Sequence, residues 1–142
     1  MTLLRRTVDL PKPLEEAFAY LGDFSTTAAW DPGIDSAAKV TEGPIGVGTV
    51  FDLVARFNER VLPMSYTITE WEPNRRVVLE GSGSTVLATD EMVFEAIPGG
   101  TRLHYSADLR LRGLLRIFTP LMRARFERLA DDAMAGLRRT LA

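Results

Sequence analysis

The spacing of apolar side chains changes along this chain, and the change divides it into three parts. A strand-like run from Leu3 to Leu10 predicts a first strand, which Pro11 and Pro13 end. Apolar residues then recur three and four positions apart over 14–21, as on one face of a short helix. Residues 23–30 predict a second short helical piece.

From residue 37 the period becomes two. It predicts strands over 37–42, 49–57, 61–71, 76–82, 86–97 and 101–111. A helical period returns over 114–142. Strands that follow one another through tight turns form an antiparallel sheet, and the final helix is the only element long enough to cover one face. The sequence therefore predicts an α+β fold in one domain, 1–142, with a curved seven-stranded sheet around a long C-terminal helix.

Two hairpins predict which side chains face that helix. A two-residue loop at Asn58-Glu59 predicts the pairs Phe57–Arg60, Leu53–Met64 and Phe51–Tyr66. A loop at Gly99-Gly100 predicts the pairs Phe94–Tyr105, Met92–Ala107 and Asp90–Leu109. Both registers put the large apolar residues on one side, which we call the inner face.

Composition excludes several classes of site. The 142 residues include no cysteine, which excludes disulfides, thiolate metal sites and thiol nucleophiles, and only one histidine, which excludes a metal site with two histidines. We expect no metal and no cofactor. The net charge of −2 gives no reason to expect nucleic-acid binding. No apolar stretch is long enough to span a membrane, and the N-terminus lacks the pattern of a signal peptide, so a cytoplasmic location is expected.

The charge is unevenly distributed. Residues 1–108 carry nine Lys/Arg and sixteen Asp/Glu, whereas residues 109–142 carry eight Arg and three acidic residues. The polar face of a helix accounts for the basic segment, and a contact with phosphate or anionic lipid is the alternative.

A sheet curved around one helix leaves space where the two diverge, and apolar space with few polar groups suits a small molecule. The alternative is a filled core. Asp90 is the most informative polar residue of the inner face, because a buried carboxylate needs a partner or becomes protonated. It is either an anchor for a ligand, with Arg125 within reach, or a sheet-end carboxylate. Tyr66 and Tyr105 are either hydrogen-bond donors to a ligand or packing residues.

The only histidine, His104, falls on the outer face in this register, where Glu95 is its expected partner. A Ser-His-Asp hydrolase is therefore not expected. The sequence carries no catalytic signature, and Asp90, Tyr66 and Tyr105 are its weak catalytic candidates.

Several segments occur in an order that resembles a known family. They are Ala17–Phe24, Trp30–Gly33, Gly46–Thr49, Thr69–Arg76 and, after Phe94, Gly99–Arg102. The chain resembles the polyketide cyclase/dehydrase and lipid-transport family of the START-related, birch-pollen-allergen-like helix-grip superfamily (SRPBCC). The resemblance implies a hydrophobic cavity between helix and sheet. Relatives bind lipids, sterols, plant hormones, quinones or polyketides, and a few are aromatase/cyclases.

These observations support three hypotheses. The first is a binding or carrier protein for a mostly apolar small molecule. The second is a cyclase, dehydratase or aromatase in which Asp90 or a tyrosine moves a proton. The third is a protein-interaction domain with a filled core and a basic helix face over 116–139. Neither the ligand nor the oligomeric state follows from the sequence. The expected ligand-binding residues are Trp30, Phe51, Leu53, Met64, Tyr66, Asp90, Met92, Phe94, Tyr105, Phe118, Met122 and Phe126.

Overall fold

The chain folds into seven strands, three α-helices and two 3₁₀ segments, as described by a computed structural model for residues 2–57 and 59–142. The strands are β1 (Thr2–Leu10), β2 (Ile34–Lys39), β3 (Val50–Phe57), β4 (Arg60–Glu72), β5 (Arg76–Gly83), β6 (Val86–Ile97) and β7 (Gly100–Leu111). The helices are α1 (Leu14–Gly22), α2 (Thr27–Trp30) and α3 (Arg123–Thr140), and the 3₁₀ segments are Phe24–Thr26 and Gly113–Met122.

The strands form one antiparallel sheet in the order β1-β7-β6-β5-β4-β3-β2. Strands β2 to β7 follow one another both along the chain and across the sheet, and β1 joins by pairing with β7. The helix-grip fold predicted from the sequence is confirmed.

The register of the β3–β4 hairpin is as predicted. Phe57 pairs with Arg60, Leu53 with Met64 and Phe51 with Tyr66. Asn58, which was placed in the hairpin loop, lies outside the described residues.

The β6–β7 register differs from the prediction by two residues. Ile97 pairs with Gly100, so the loop is Pro98-Gly99 and not Gly99-Gly100. Gly99 adopts a positive φ of 83°, and Gly100 belongs to the strand, where a Cβ would overlap the backbone carbonyl of Leu10. Met92 consequently opposes Tyr105, and Asp90 opposes Ala107. A shift of two positions keeps every side chain on its predicted face.

The C-terminal helical segment is not α-helical throughout. Residues 113–122 form the 3₁₀ segment, and only α3 has α-helical geometry. Pro120 cannot donate the backbone hydrogen bond that an α-helix requires there. The Oγ1 of Thr119 accepts a hydrogen bond from the backbone N of Leu111 at 3.2 Å, which holds the segment against the end of β7. Leu115 and Phe118 are consequently exposed.

Helix α3 packs closely on the loop after α2. Gly136 allows this approach, because a Cβ at that position would overlap the carbonyl oxygen of Trp30 and lie 3.2 Å from Pro32 Cδ. The other side of α3 is linked to β1 by Arg6, whose Nε donates to Asp131 Oδ1 at 2.8 Å. The helix is thus fixed between the first strand and the segment before β2.

Within residues 2–57 and 59–142, no helix has the length and apolar character needed to cross a bilayer. The same part of the chain holds no group of three or more metal-ligating side chains.

Candidate functional site

A pocket of about 160 Å³ lies between the inner face of the sheet, the loop after α2 and the part of α3 from Phe126 to Met134. Its apolar wall includes Leu4, Ile34, Ala55, Phe57, Leu62, Met64, Val86, Ala107, Leu109, Phe126, Leu129 and Met134. An apolar cavity of about 150 Å³ is large enough to bind benzene. The pocket therefore has room for one six-membered ring.

Asp90 supplies a carboxyl group to this wall. It lies on β6 opposite Ala107, is 7 % exposed, and accepts a hydrogen bond from Tyr105 Oη at 2.5 Å on its Oδ2 atom. Its Oδ1 atom is buried and has no hydrogen-bond partner among the described residues. A buried acceptor without a partner is costly unless a ligand, a water molecule or a proton satisfies it.

Burial raises the pKa of Asp90 from its usual 3.8 to about 7. The hydrogen bond from Tyr105 lowers this pKa, and the negative charge of Asp31 raises it. The group therefore exchanges its proton near neutral pH, as a general acid or base does.

Asp31 is a second carboxyl group in the wall. Its Oδ1 accepts a hydrogen bond from the backbone N of Gly33 at 2.8 Å, and burial raises its pKa to about 6. Sequence reasoning did not single it out, since Asp31-Pro32-Gly33 has the composition of a turn. The close approach of α3 to this turn makes it part of the pocket.

Two tyrosine residues also belong to the polar part of the wall, together with Arg6 and Arg56. Burial and the neighbouring Asp90 raise the pKa of Tyr66 and that of Tyr105 well above the usual value, so both are protonated at neutral pH. The ring of Tyr66 packs 5.1 Å from that of Phe24 and occupies the space beside Gly81, where a Cβ would overlap it. Tyr66 is thereby held in a fixed orientation.

The structure separates the expected ligand-binding residues into three groups. The pocket wall contains Trp30, Met64, Tyr66, Asp90, Tyr105 and Phe126. The surrounding core contains Phe51, Leu53, Met92 and Phe94, which are buried but do not line the pocket. Phe118 and Met122 do not line it either, because they belong to the 3₁₀ segment and not to an α-helix facing the sheet.

A second, larger groove of about 990 Å³ opens beside the pocket. Phe57, Leu62 and Leu129 line both spaces, so the two are adjacent. The rings of Phe57 and Phe126 stack at this junction with 5.4 Å between their centroids. Arg125, expected as a possible partner for Asp90, lines the groove and not the pocket.

His104 lies outside the pocket. It is exposed on the outer face, where its Nε2 is 3.3 Å from Glu95 Oε1. The predicted surface pair is present, although the backbone partner of Glu95 is Arg102.

The model of the family described as polyketide cyclase / dehydrase and lipid transport matches residues 1–142. The chain belongs to this family. The resemblance inferred from the sequence is thus confirmed. No curated protein matches the chain in sequence.

Solved structures share the fold of this family member at low sequence identity. A START superfamily protein from Mycobacterium smegmatis superimposes with a TM-score of 0.78 at 14 % identity, covering 100 % of both chains. The Zhui aromatase/cyclase from Streptomyces sp. R1128 gives 0.74 at 16 % identity, with 99 % and 96 % covered. A protein from Thermus thermophilus gives 0.72 at 20 % identity, with 99 % of each chain covered. At these identities the likeness shows the fold alone.

Proposed function

We propose that this family member binds or carries a small, mostly apolar molecule that has one hydrogen-bond donor, with a ring of the molecule in the pocket. The observation that carries the proposal is the buried Oδ1 atom of Asp90, which has no partner among the described residues and lies in a mostly apolar wall. A ligand hydroxyl or N–H group would satisfy this acceptor.

The size of the two spaces favours a ligand of two parts. The pocket accommodates a ring, and the adjacent groove has room for a longer remainder. Affinity would come mainly from apolar area removed from water, at about 25 cal/mol per Å² before the costs of association. The polar groups of Asp90, Tyr66 and Tyr105 would orient the molecule.

A matched pair of small probes tests this binding mode. p-Cresol differs from toluene in the phenolic donor, so p-cresol is expected to bind more tightly. At 100 times its dissociation constant it stabilises the fold by about 2.7 kcal/mol, which raises the melting temperature by about 9 °C. Thermal unfolding in the presence of each probe, at the same concentration of both, measures the shift in melting temperature. Equal shifts for the two probes would remove the hydrogen bond from the proposal.

A cavity-filling variant locates the site. Ala107→Phe places a ring in the pocket opposite Asp90 and is expected to abolish the p-cresol shift. Ala96→Phe is the matched control, because Ala96 is an exposed residue of β6 that does not line the pocket. An undiminished p-cresol shift in folded Ala107→Phe would mean that the probe binds elsewhere.

Proton transfer on a ketone substrate is the second candidate, favoured by the pKa of Asp90 near 7. The ionised carboxylate would take an α-proton from a bound ketone, the resulting enolate oxygen would accept a hydrogen bond from a tyrosine, and the carboxylic acid would return the proton. A solved relative of the same fold is an aromatase/cyclase.

Exchange of the benzylic protons of phenylacetone for deuterium, followed by NMR, tests this candidate. Wild-type protein is expected to accelerate the exchange. Asp90→Asn is expected to reduce the acceleration at least 100-fold while p-cresol binding changes by less than fivefold. Exchange no faster than in buffer, together with p-cresol binding, would leave the carrier function alone.

A further inference from the structure

The 3₁₀ segment exposes apolar side chains to an unusual degree. Leu114 is 90 % exposed, Leu121 76 % and Ile117 71 %, and Leu115 and Phe118 are each nearly half exposed. In the part of the chain that the structure describes, the other large exposed apolar residues are scattered: Val40 and Val47 lie in the β2–β3 connection, Val61 in β4 and Leu87 in β6. Contiguous exposed apolar surface of this kind marks an interaction site.

Two hydrogen bonds hold the segment in the position that exposes these side chains. Thr119 is 1 % exposed, and its hydrogen bond with the backbone of Leu111 fixes the middle of the segment. At the start of the segment, the backbone N of Leu115 donates to the carbonyl of Arg112 at 3.1 Å. The backbone is held against the end of β7 while the apolar side chains on either side of Thr119 extend outward.

Along the chain, the segment and its immediate flanks carry charge of one sign, although Arg110 is paired with Asp108 at 3.0 Å and Arg123 lies 3.9 Å from Glu127. Residues 109–126 contain Arg110, Arg112, Arg116, Arg123 and Arg125 and no aspartate or glutamate. Apolar side chains surrounded by arginine are typical of elements that lie in the interface of an anionic bilayer. A two-fold contact with a second copy would bring the same arginines against one another, which disfavours that occupant.

We propose that the apolar–basic patch, formed by Leu114, Ile117, Phe118 and Leu121 with Arg112, Arg116 and Arg123, docks the protein on an anionic lipid surface. The apolar side chains enter the headgroup region, and the arginines contact lipid phosphates. The patch borders the groove, because Leu115 lines the groove and belongs to the same segment. Docking therefore turns the groove toward the bilayer. This inference does not depend on which ligand occupies the pocket.

Co-sedimentation with vesicles tests the proposal. Wild-type protein is expected to bind vesicles of phosphatidylcholine and phosphatidylglycerol (3:1) at least tenfold more tightly than vesicles of phosphatidylcholine alone. Raising NaCl from 0.1 to 0.5 M is expected to weaken the binding, because salt screens the arginines. Equal binding to both lipid compositions, or no binding to either, would overturn the proposal.

Two variants assign the binding to the patch. L114S/I117S/L121S removes apolar contacts and keeps the charge, and it is expected to weaken vesicle binding at least tenfold. V40S/V47S is the matched control, since both residues are exposed in the β2–β3 connection at the opposite end of the sheet. Unchanged binding of the triple variant would refute the assignment. A change of the triple variant from dimer to monomer in light scattering would assign the patch to a second copy instead.

Phe118→Trp places a fluorescent probe in the patch, so that contact with lipid can be measured without disrupting the binding. Its fluorescence is expected to shift to shorter wavelength when anionic vesicles are added and to be quenched by brominated lipid. An indole that stays in water while the protein sediments with the vesicles would show that another surface makes the contact.

Discussion

Replacing Asp90 with asparagine is expected to remove a large part of the pH dependence of stability. The pKa of Asp90 is about 7 in the folded chain and about 3.8 in the unfolded chain, so the folded state holds more protons between these values. Its contribution to stability is therefore complete below pH 3.8 and is lost as the pH rises through 7. A shift of about three pKa units corresponds to a loss on the order of 4 kcal/mol.

Urea titrations at pH 4 to 8 measure the free energy of unfolding of the wild type and of Asp90→Asn. Asp90→Asn is expected to match the wild type near pH 4 and to exceed it by on the order of 4 kcal/mol at pH 8. The other titratable groups that line the pocket are Asp31, Tyr66, Tyr105, Arg6 and Arg56, and all of them remain in the variant. Asp52→Asn, on an exposed part of β3, is the matched control. Parallel pH curves for Asp90→Asn and the wild type would contradict the neutral-pH titration of Asp90.

Gly136→Val is expected to lower the unfolding free energy by about 3 kcal/mol and the melting temperature by about 10 °C. The Cβ of the valine would overlap the carbonyl oxygen of Trp30, which is a backbone atom and cannot rotate away. Helix α3 would have to move from the loop after α2, which also carries Asp31. The substitution is thus expected to weaken p-cresol binding as well.

Ala135→Val measures what a valine costs on α3 without this overlap, and the test is a strict one, because valine has a poorer helix propensity than alanine but a better one than the glycine it replaces at position 136. Ala135 is the exposed neighbour of Gly136 on α3, so its variant has the propensity cost without the overlap. That cost is below about 1 kcal/mol. Thermal and urea unfolding of the two variants measure the difference. Equal losses would mean that α3 tolerates a side chain against the carbonyl of Trp30.

The parts of the fold that depend on local pattern could be predicted from the sequence. The alternation of apolar and polar residues along β3 and β4 specifies both the register and the inner face, so Met64 and Tyr66 were placed correctly as inner residues. The two-residue error at Gly99-Gly100 did not affect the face of Asp90, because side chains alternate with a period of two.

The remainder depends on contacts between distant segments. Leu115, Phe118 and Met122 continue the apolar spacing of α3, so periodicity alone assigned them to the helix face that packs on the sheet. The hydrogen bond between Thr119 and the end of β7, together with Pro120, instead makes this stretch a 3₁₀ segment rather than part of that helix face. Asp31 resembles a turn residue in the sequence, and it became part of the pocket only through packing of α3 on its loop.

The position of β1 at the edge of the sheet affects how the chain can be synthesised. β1 pairs with β7, and its register extends from Thr2 opposite Leu109 to Leu10 opposite Thr101. A ribosome that adds about 5–20 residues per second therefore needs about 5–20 s to supply this partner. During that time the apolar side chains of β1, among them Leu4 and Val8, have neither β7 nor α3 against which to pack. The nascent chain thus leaves the ribosome with its first strand unpaired, and the sheet closes only when the last strand and helix have emerged.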